Sequence, residues 1–129
     1  MPRALIHTML RILDEERSLA FYGALGFAET SRKRVGGDTA TVIFLALPGD
    51  GERLELTLND GRAEPYELGG AYGHIALSVD DMDAELAMLA ERGITPEKAP
   101  YASRPGGSTI CFIRDPDGYR IELVEVRPG

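Results

Sequence analysis

Polar and apolar residues alternate over residues 4–12, placing Ile6, Leu10 and Ile12 on one side and His7, Met9 and Arg11 on the other. A period of two predicts a half-buried strand. After Asp14 the interval lengthens: Leu19, Tyr22 and Leu25 recur at helical spacing, with Asp14 as cap and Gly26 as stop. A strand is expected near residues 27–35. Residues 41–47 and 53–58 then form a hairpin about Pro48-Gly49-Asp50-Gly51. The same order returns further on. Residues 74–79 alternate, Asp80 or Asp81 caps a helix with Leu86, Leu89 and Ala90 on one face, and Gly93 stops it. A short strand is expected near residues 94–98. A last hairpin joins residues 108–113 to 119–126 through Asp115-Pro116-Asp117-Gly118.

The recurrence is an internal repeat. Shifted by 67 positions without gaps, the chain lays Leu10 on Leu77, Leu19 on Leu86, Gly26 on Gly93, Ile43 on Ile110 and Leu54-Glu55-Leu56 on Ile121-Glu122-Leu123. Two copies of one packing unit require such matched apolar and turn positions. The expected organisation is a single α+β domain of residues 1–129. It holds two tandem βαβββ modules, about 1–60 and about 73–129, joined by a linker at about 61–72. Curved mixed sheets would surround a cleft. Outside the pattern, residues 100–107 hold Arg104-Pro105-Gly106-Gly107, read as a mobile loop that is either a lid or a plain surface loop. It is no phosphate loop, because no Gly-Lys-Ser/Thr follows.

The charge excludes some partners. A net charge of −7 without a basic run argues against nucleic acid and against a basic membrane-surface helix. No apolar run is long enough to span a bilayer, and Met1-Pro2-Arg3 does not open a signal peptide, so a cytoplasmic protein is expected. Cys111 is the one cysteine, set in the apolar run Thr109-Ile110-Cys111-Phe112-Ile113. It reads as a buried small residue rather than a nucleophile.

The histidines carry the chemistry. His7 plus 67 is His74, and each is followed 48 positions later by a glutamate, Glu55 and Glu122. Each glutamate lies between apolar neighbours, so strand alternation turns it away from the core, and the histidines share that polar side. All four side chains are expected to line the concave face. Two imidazoles and two carboxylates can hold a first-row divalent ion and leave room for water or substrate in an octahedral shell. The acids Glu15, Glu16, Glu85 and Glu91 fall on helix faces and read as solvated. Two polar residues break the symmetry: Arg11 is matched by Ser78 and Asn59 by Val126. Arg11 suits a substrate carboxylate or is a plain strand-end charge; Asn59 suits an amide or carboxylate.

Residues 7–11 (His-Thr-Met-Leu-Arg), 54–59 (Leu-Glu-Leu-Thr-Leu-Asn), 66–69 (Tyr-Glu-Leu-Gly), 71–79 (Ala-Tyr-Gly-His-Ile-Ala-Leu-Ser-Val) and 115–123 (Asp-Pro-Asp-Gly-Tyr-Arg-Ile-Glu-Leu) give the chain a resemblance. It resembles the vicinal oxygen chelate superfamily and, within it, the glyoxalase I (lactoylglutathione lyase) family. The resemblance implies isomerisation of the methylglyoxal–glutathione hemithioacetal to S-lactoylglutathione. One divalent metal per site would polarise the substrate oxygens and stabilise a cis-enediolate. Nickel is the ion that the short chain suggests, with cobalt or zinc as the others. By resemblance Glu122 is the principal base, Glu55 serves the opposite face, and Arg11 and Asn59 hold the glutathione end. A homodimer is also implied, with His7 and Glu55 from one chain and His74 and Glu122 from the other. The alternatives are another metal enzyme of the superfamily, such as an epimerase or thiol transferase, and a non-enzymatic small-molecule-binding protein. An extradiol dioxygenase is disfavoured, since a second glutamate would occupy a position needed for oxygen. Antibiotic-sequestering members need no metal ligands, which argues against the binding module.

Overall fold

The computed structural model describes residues 2–126. Met1 and residues 127–129, the outer ends of the two expected modules, lie outside the described residues. The elements follow in the order β1 (Thr8–Ile12), α1 (Glu15–Ala24), β2 (Ala28–Val35), β3 (Ala40–Ala46), β4 (Leu54–Asn59), β5 (His74–Val79), α2 (Met82–Glu91), β6 (Tyr101–Ala102), β7 (Thr109–Arg114) and β8 (Arg120–Glu125). The chain divides into two units between Tyr66 and Glu67, each a βαβββ module.

Unit one is a four-stranded mixed sheet ordered β1-β4-β3-β2. β1 runs parallel to β4, while β3 is antiparallel to both β4 and β2. A parallel pair requires a long crossover, and α1 with the β2-β3 hairpin supplies it. Alternation sorts the faces as expected. Leu10, Ile12, Ile43, Leu45, Leu54 and Leu56 are buried, whereas Met9 and Arg11 are exposed and Glu55 half-buried. Burying one such aliphatic side chain is worth about 1.5–3 kcal/mol, so the register of β1 and β4 is strongly set. Ile6, expected on the packed side, is 74% exposed because β1 starts only at Thr8.

α1 begins at Asp14, whose carboxylate accepts from the Arg17 N–H at 3.1 Å. Gly26 then turns the chain at φ 98°, a left-handed conformation that glycine adopts without cost. The buried face differs from the expected one: Ser18, Phe21, Tyr22 and Ala24 are buried, and Leu19 and Leu25 only half so. Phe21 and Tyr22 pack edge to face at 5.0 Å between ring centres, and these larger rings take the centre of the stripe.

Unit two repeats the design with the sheet order β5-β8-β7-β6 and a parallel β5-β8 pair. Asp81, rather than Asp80, caps α2, accepting from the Ala84 N–H at 3.0 Å. The Glu125 carboxylate of β8 accepts from the Met82 N–H at 2.8 Å, a second tie at the same helix end. We expect Asp81→Ala to lower stability by about 1 kcal/mol, measured by urea denaturation. An unchanged midpoint would mean that Glu125 suffices as cap. In α2 Met82 and Leu89 are buried and Leu86 half so, while Ala90 is exposed.

Two local expectations do not hold. Residues 94–98 form no strand, and the third pairing of this sheet is the short β6, where Tyr101 lies opposite Ile110. Pro96 and Pro100 lack an N–H for a ladder, so Glu97 between them makes one backbone bond, to the Phe112 carbonyl at 2.9 Å, and a strand forms only at Tyr101. Part of the expected loop 100–107 is therefore strand. The gapless repeat also breaks in one place. Phe44 lies opposite Glu55 and Phe112 opposite Glu122, and 112 minus 44 is 68, not 67. Ile43 thus takes the place of Cys111 rather than that of Ile110, because the first hairpin is one residue longer. Both are fully buried. Burial pushes the Cys111 thiol up, and the Glu97 charge adds to it, so this sulfur is a packing group.

Candidate metal centre

In each unit the histidine ends up beside its own glutamate. His7 Nε2 lies 3.1 Å from Glu55 Oε1, and His74 Nε2 lies 3.0 Å from Glu122 Oε1. The parallel pairing produces this: Met9 faces Glu55 across β1-β4, and Ala76 faces Glu122 across β5-β8. The histidine, two residues earlier on the same side, leans over the carboxylate from the strand end. His74 opens β5, whereas His7 sits one residue before β1. That approach is held by the Arg53 guanidinium, which donates to the Leu5 carbonyl at 3.1 Å, and by the Thr8 N–H on the Arg53 carbonyl at 3.0 Å.

A phenylalanine backs each imidazole edge to face. The ring centres are 5.6 Å apart for His7 and Phe44, and 5.0 Å for His74 and Phe112. Such packing limits the rotation of each imidazole and turns Nε2 toward the carboxylate. Phe112 is itself covered by the Arg120 guanidinium at 3.8 Å, which Glu97 holds through two hydrogen bonds of 2.8 and 3.1 Å. The paired guanidinium keeps the Glu97 carboxyl below the ordinary carboxylate range.

The donor set fits a divalent ion. Imidazole nitrogen with carboxylate oxygen is a donor pair that first-row divalent ions accept, and at 3.1 and 3.0 Å each pair stands at direct hydrogen-bond distance. The pairs remain two. Among the described residues no group of three or more His, Cys, Asp and Glu side chains gathers as a metal site. The structure thus brings together His7 with Glu55 and His74 with Glu122, each within its own unit.

The pairs differ in one tether. Thr57, buried in β4, donates its hydroxyl to Glu55 Oε2 at 3.0 Å. The residue at the matching place in β8 is Val124. Among the described residues Glu55 is therefore held at both oxygens, and Glu122 at one. The repeat reveals this difference only when residues next to the ligands are compared.

Arg11 and Asn59 also meet. Arg11 Nη1 donates to Asn59 Oδ1 at 3.1 Å, and the Tyr66 hydroxyl donates to the same oxygen at 3.2 Å. Both donors spend the carbonyl side of Asn59, which leaves its two amide N–H groups for other acceptors. The Arg62 guanidinium lies 4.2 Å over the Tyr66 ring and bonds the Glu64 and Pro65 carbonyls, which folds the loop back onto the cluster. Sequence spacing did not single out Tyr66 or Thr57 as site neighbours. Alternation alone puts Thr57 on the Glu55 side of β4, but only the coordinates show its hydroxyl donating to the carboxylate.

Of the helix acids read as solvated, Glu15 pairs with Arg32 at 2.7 Å. Glu85 is half-buried, three residues after Met82 and four before Leu89, and burial raises its carboxyl. No helix among the described residues is long and apolar enough to cross a membrane.

The chain is similar to known proteins along nearly its whole length. The family described as the glyoxalase/bleomycin resistance protein/dioxygenase superfamily matches residues 4–123. The chain is 41% identical to the lactoylglutathione lyase of Salmonella typhimurium over 95% of this chain and 93% of that one. It is 42% identical to the lactoylglutathione lyase of Haemophilus influenzae, over 94% and 91%. Among solved structures, the trypanothione-dependent glyoxalase I of Leishmania major superposes with a TM-score of 0.80 at 35% identity, covering 96% of this chain and 87% of that one. Glyoxalase I from Zea mays gives 0.84 at 26% identity, and this chain spans 45% of the maize chain. Matched from residue 4 to residue 123 and 41% identical to a relative over 95% of its length, the chain belongs to the glyoxalase/bleomycin resistance protein/dioxygenase superfamily.

Proposed function

We propose that the chain is a lactoylglutathione lyase, a metal-dependent carbon–sulfur lyase that isomerises the hemithioacetal of methylglyoxal and glutathione to S-lactoylglutathione. The observation that carries this reading is the His–Glu pair repeated in both units at 3.1 and 3.0 Å. The 41% identity to a lactoylglutathione lyase over 95% of the chain supports it. His7, Glu55, His74 and Glu122 are the ligands, and nickel is the favoured ion, ahead of cobalt and zinc. The bound ion supplies Lewis acidity to the two substrate oxygens.

The residues divide the remaining work. Glu122 takes the C1 hydrogen as a proton, and a proton returns to C2. The C1 hydroxyl becomes the thioester carbonyl and the C2 carbonyl becomes a hydroxyl, so atoms balance without an outside oxidant. A base that takes a proton from carbon needs a carboxylate oxygen not committed to a neighbour. Among the described residues Glu122 has no tether like that from Thr57 to Glu55, which supports Glu122 as the principal base. Glu55, gripped at both oxygens, acts at the opposite face. Arg11 and the Asn59 amide hold the glutathione end.

The working unit is a homodimer in which His7 and Glu55 meet His74 and Glu122 of the partner subunit. Two facts support it. Each pair is two donors short of a four-ligand site, and Leu5, Ile6, Tyr72 and Val126 are large apolar residues left more than half exposed. The chain is a cytoplasmic enzyme without nucleic-acid or membrane partners. The test is direct. Apo-protein receives nickel, cobalt or zinc separately, and formation of S-lactoylglutathione from the hemithioacetal is followed by its thioester absorbance. Activity is expected with at least nickel or cobalt. No turnover with any ion sinks the reading.

A further inference from the structure

A groove of about 340 Å³ opens in unit one beside His7, lined by Ser31, Arg32, Lys33, Phe44 and Glu52 as well. It belongs to the polar side of the sheet, where Ser31 lies opposite Phe44 and Phe44 opposite Glu55. Most charges on β2 are already matched. Arg32 is held by Glu15 and Glu29, and Arg34 by Asp38 and Asp60. Glu52 accepts from the Thr30 and Ser31 hydroxyls, which hold its carboxyl below the ordinary range. Lys33 is different. Its ammonium sits 5.7 Å over the Phe44 ring, and among the described residues it has no carboxylate partner.

We infer that this groove is a specificity subsite in which Lys33 receives a carboxylate on the aldehyde-derived arm of the substrate. The inference rests on the lyase reading and extends it from methylglyoxal to 2-oxoaldehydes that bear an acidic group. Three observations carry it. First, the Phe44 ring links the two ends: its centre is 5.6 Å from that of His7 and 5.7 Å from Lys33 Nζ. An arm leaving the reacting carbon at His7 and Glu55 runs over an aromatic face and ends at an ammonium. Second, the thiol side is placed elsewhere. Asn59 lies four residues beyond Glu55 along β4, about 13 Å away, in the direction opposite to Glu52. Third, Arg32, the other cation lining the groove, is committed to Glu15 and Glu29, which leaves Lys33 as the groove's cation for a substrate carboxylate.

Non-reacting thioethers and reacting adducts test this together, with metal-loaded protein. Calorimetry compares S-(4-carboxybenzyl)glutathione with S-benzylglutathione. Turnover compares the glutathione adducts of 4-carboxyphenylglyoxal and phenylglyoxal. The wild type is expected to favour the carboxylated member by about fivefold in Kd and in kcat/KM, the scale of an exposed ammonium–carboxylate pair. Lys33→Gln is expected to erase that ratio and Lys33→Arg to keep it. Equal values in the wild type, or a ratio that survives Lys33→Gln, overturn the subsite. Wild-type turnover of the methylglyoxal adduct separates the two claims: its loss sinks the parent reading and the subsite with it, whereas turnover with no Lys33-dependent ratio sinks the subsite alone.

Discussion

Glu122→Gln is expected to cut kcat by about 10²–10⁴-fold, the contribution of a positioned general base, while the protein still binds its metal. Glutamine keeps an oxygen at the same reach beside His74 Nε2, now 3.0 Å from the Glu122 carboxylate, but accepts no proton at neutral pH. Metal content after dialysis and kcat on the methylglyoxal adduct check the two halves. The companion change Glu55→Gln should cost less in kcat, because Thr57 already commits one Glu55 oxygen. A fully active Glu122→Gln enzyme, or one damaged equally by both changes, removes Glu122 from the role of principal base.

His74→Ala is expected to weaken metal binding by more than the roughly 10–100-fold that loss of a supporting neighbour costs a metal site, since a ligand itself is removed. His74 is partly exposed at the end of β5, so its loss leaves the core of Leu123, Ile121 and Leu89 intact. Competition with a chromophoric chelator measures affinity, and circular dichroism verifies the fold. His7→Ala should match it, because the two pairs have the same separation within 0.1 Å, 3.1 against 3.0 Å. Unchanged affinity in both variants means that the histidines are not ligands. Loss in one only means that the pairs do not act as equivalents.

Much of this was legible without coordinates. Strand alternation put Leu54 and Leu56 on one side and Glu55 on the other, and burial follows that division. The repeat paired each histidine with a glutamate. The caps Asp14 and Asp81 and the stops Gly26 and Gly93 stand where the helices begin and end. These features are local, set by backbone geometry and by which side chains leave water.

Features that depend on distant partners were not legible. Phe21 displaced Leu19 from the buried face of α1, because packing against a sheet selects by size and shape as well as by polarity. Near residues 94–98, where a strand was expected, only the Glu97 N–H reaches β7, and the paired strand is Tyr101–Ala102, after the second of two prolines.

By itself the sequence determined two copies of one βαβββ unit, each with a histidine and a glutamate on its polar side. Only the tertiary structure decided that each histidine meets its own glutamate, at 3.1 and 3.0 Å. It also decided that Thr57 restrains one of the two glutamates, and that Lys33 stands over the Phe44 ring with no carboxylate partner among the described residues. The physical reason is that alternation decides which way a side chain points, whereas register across neighbouring strands decides what it meets.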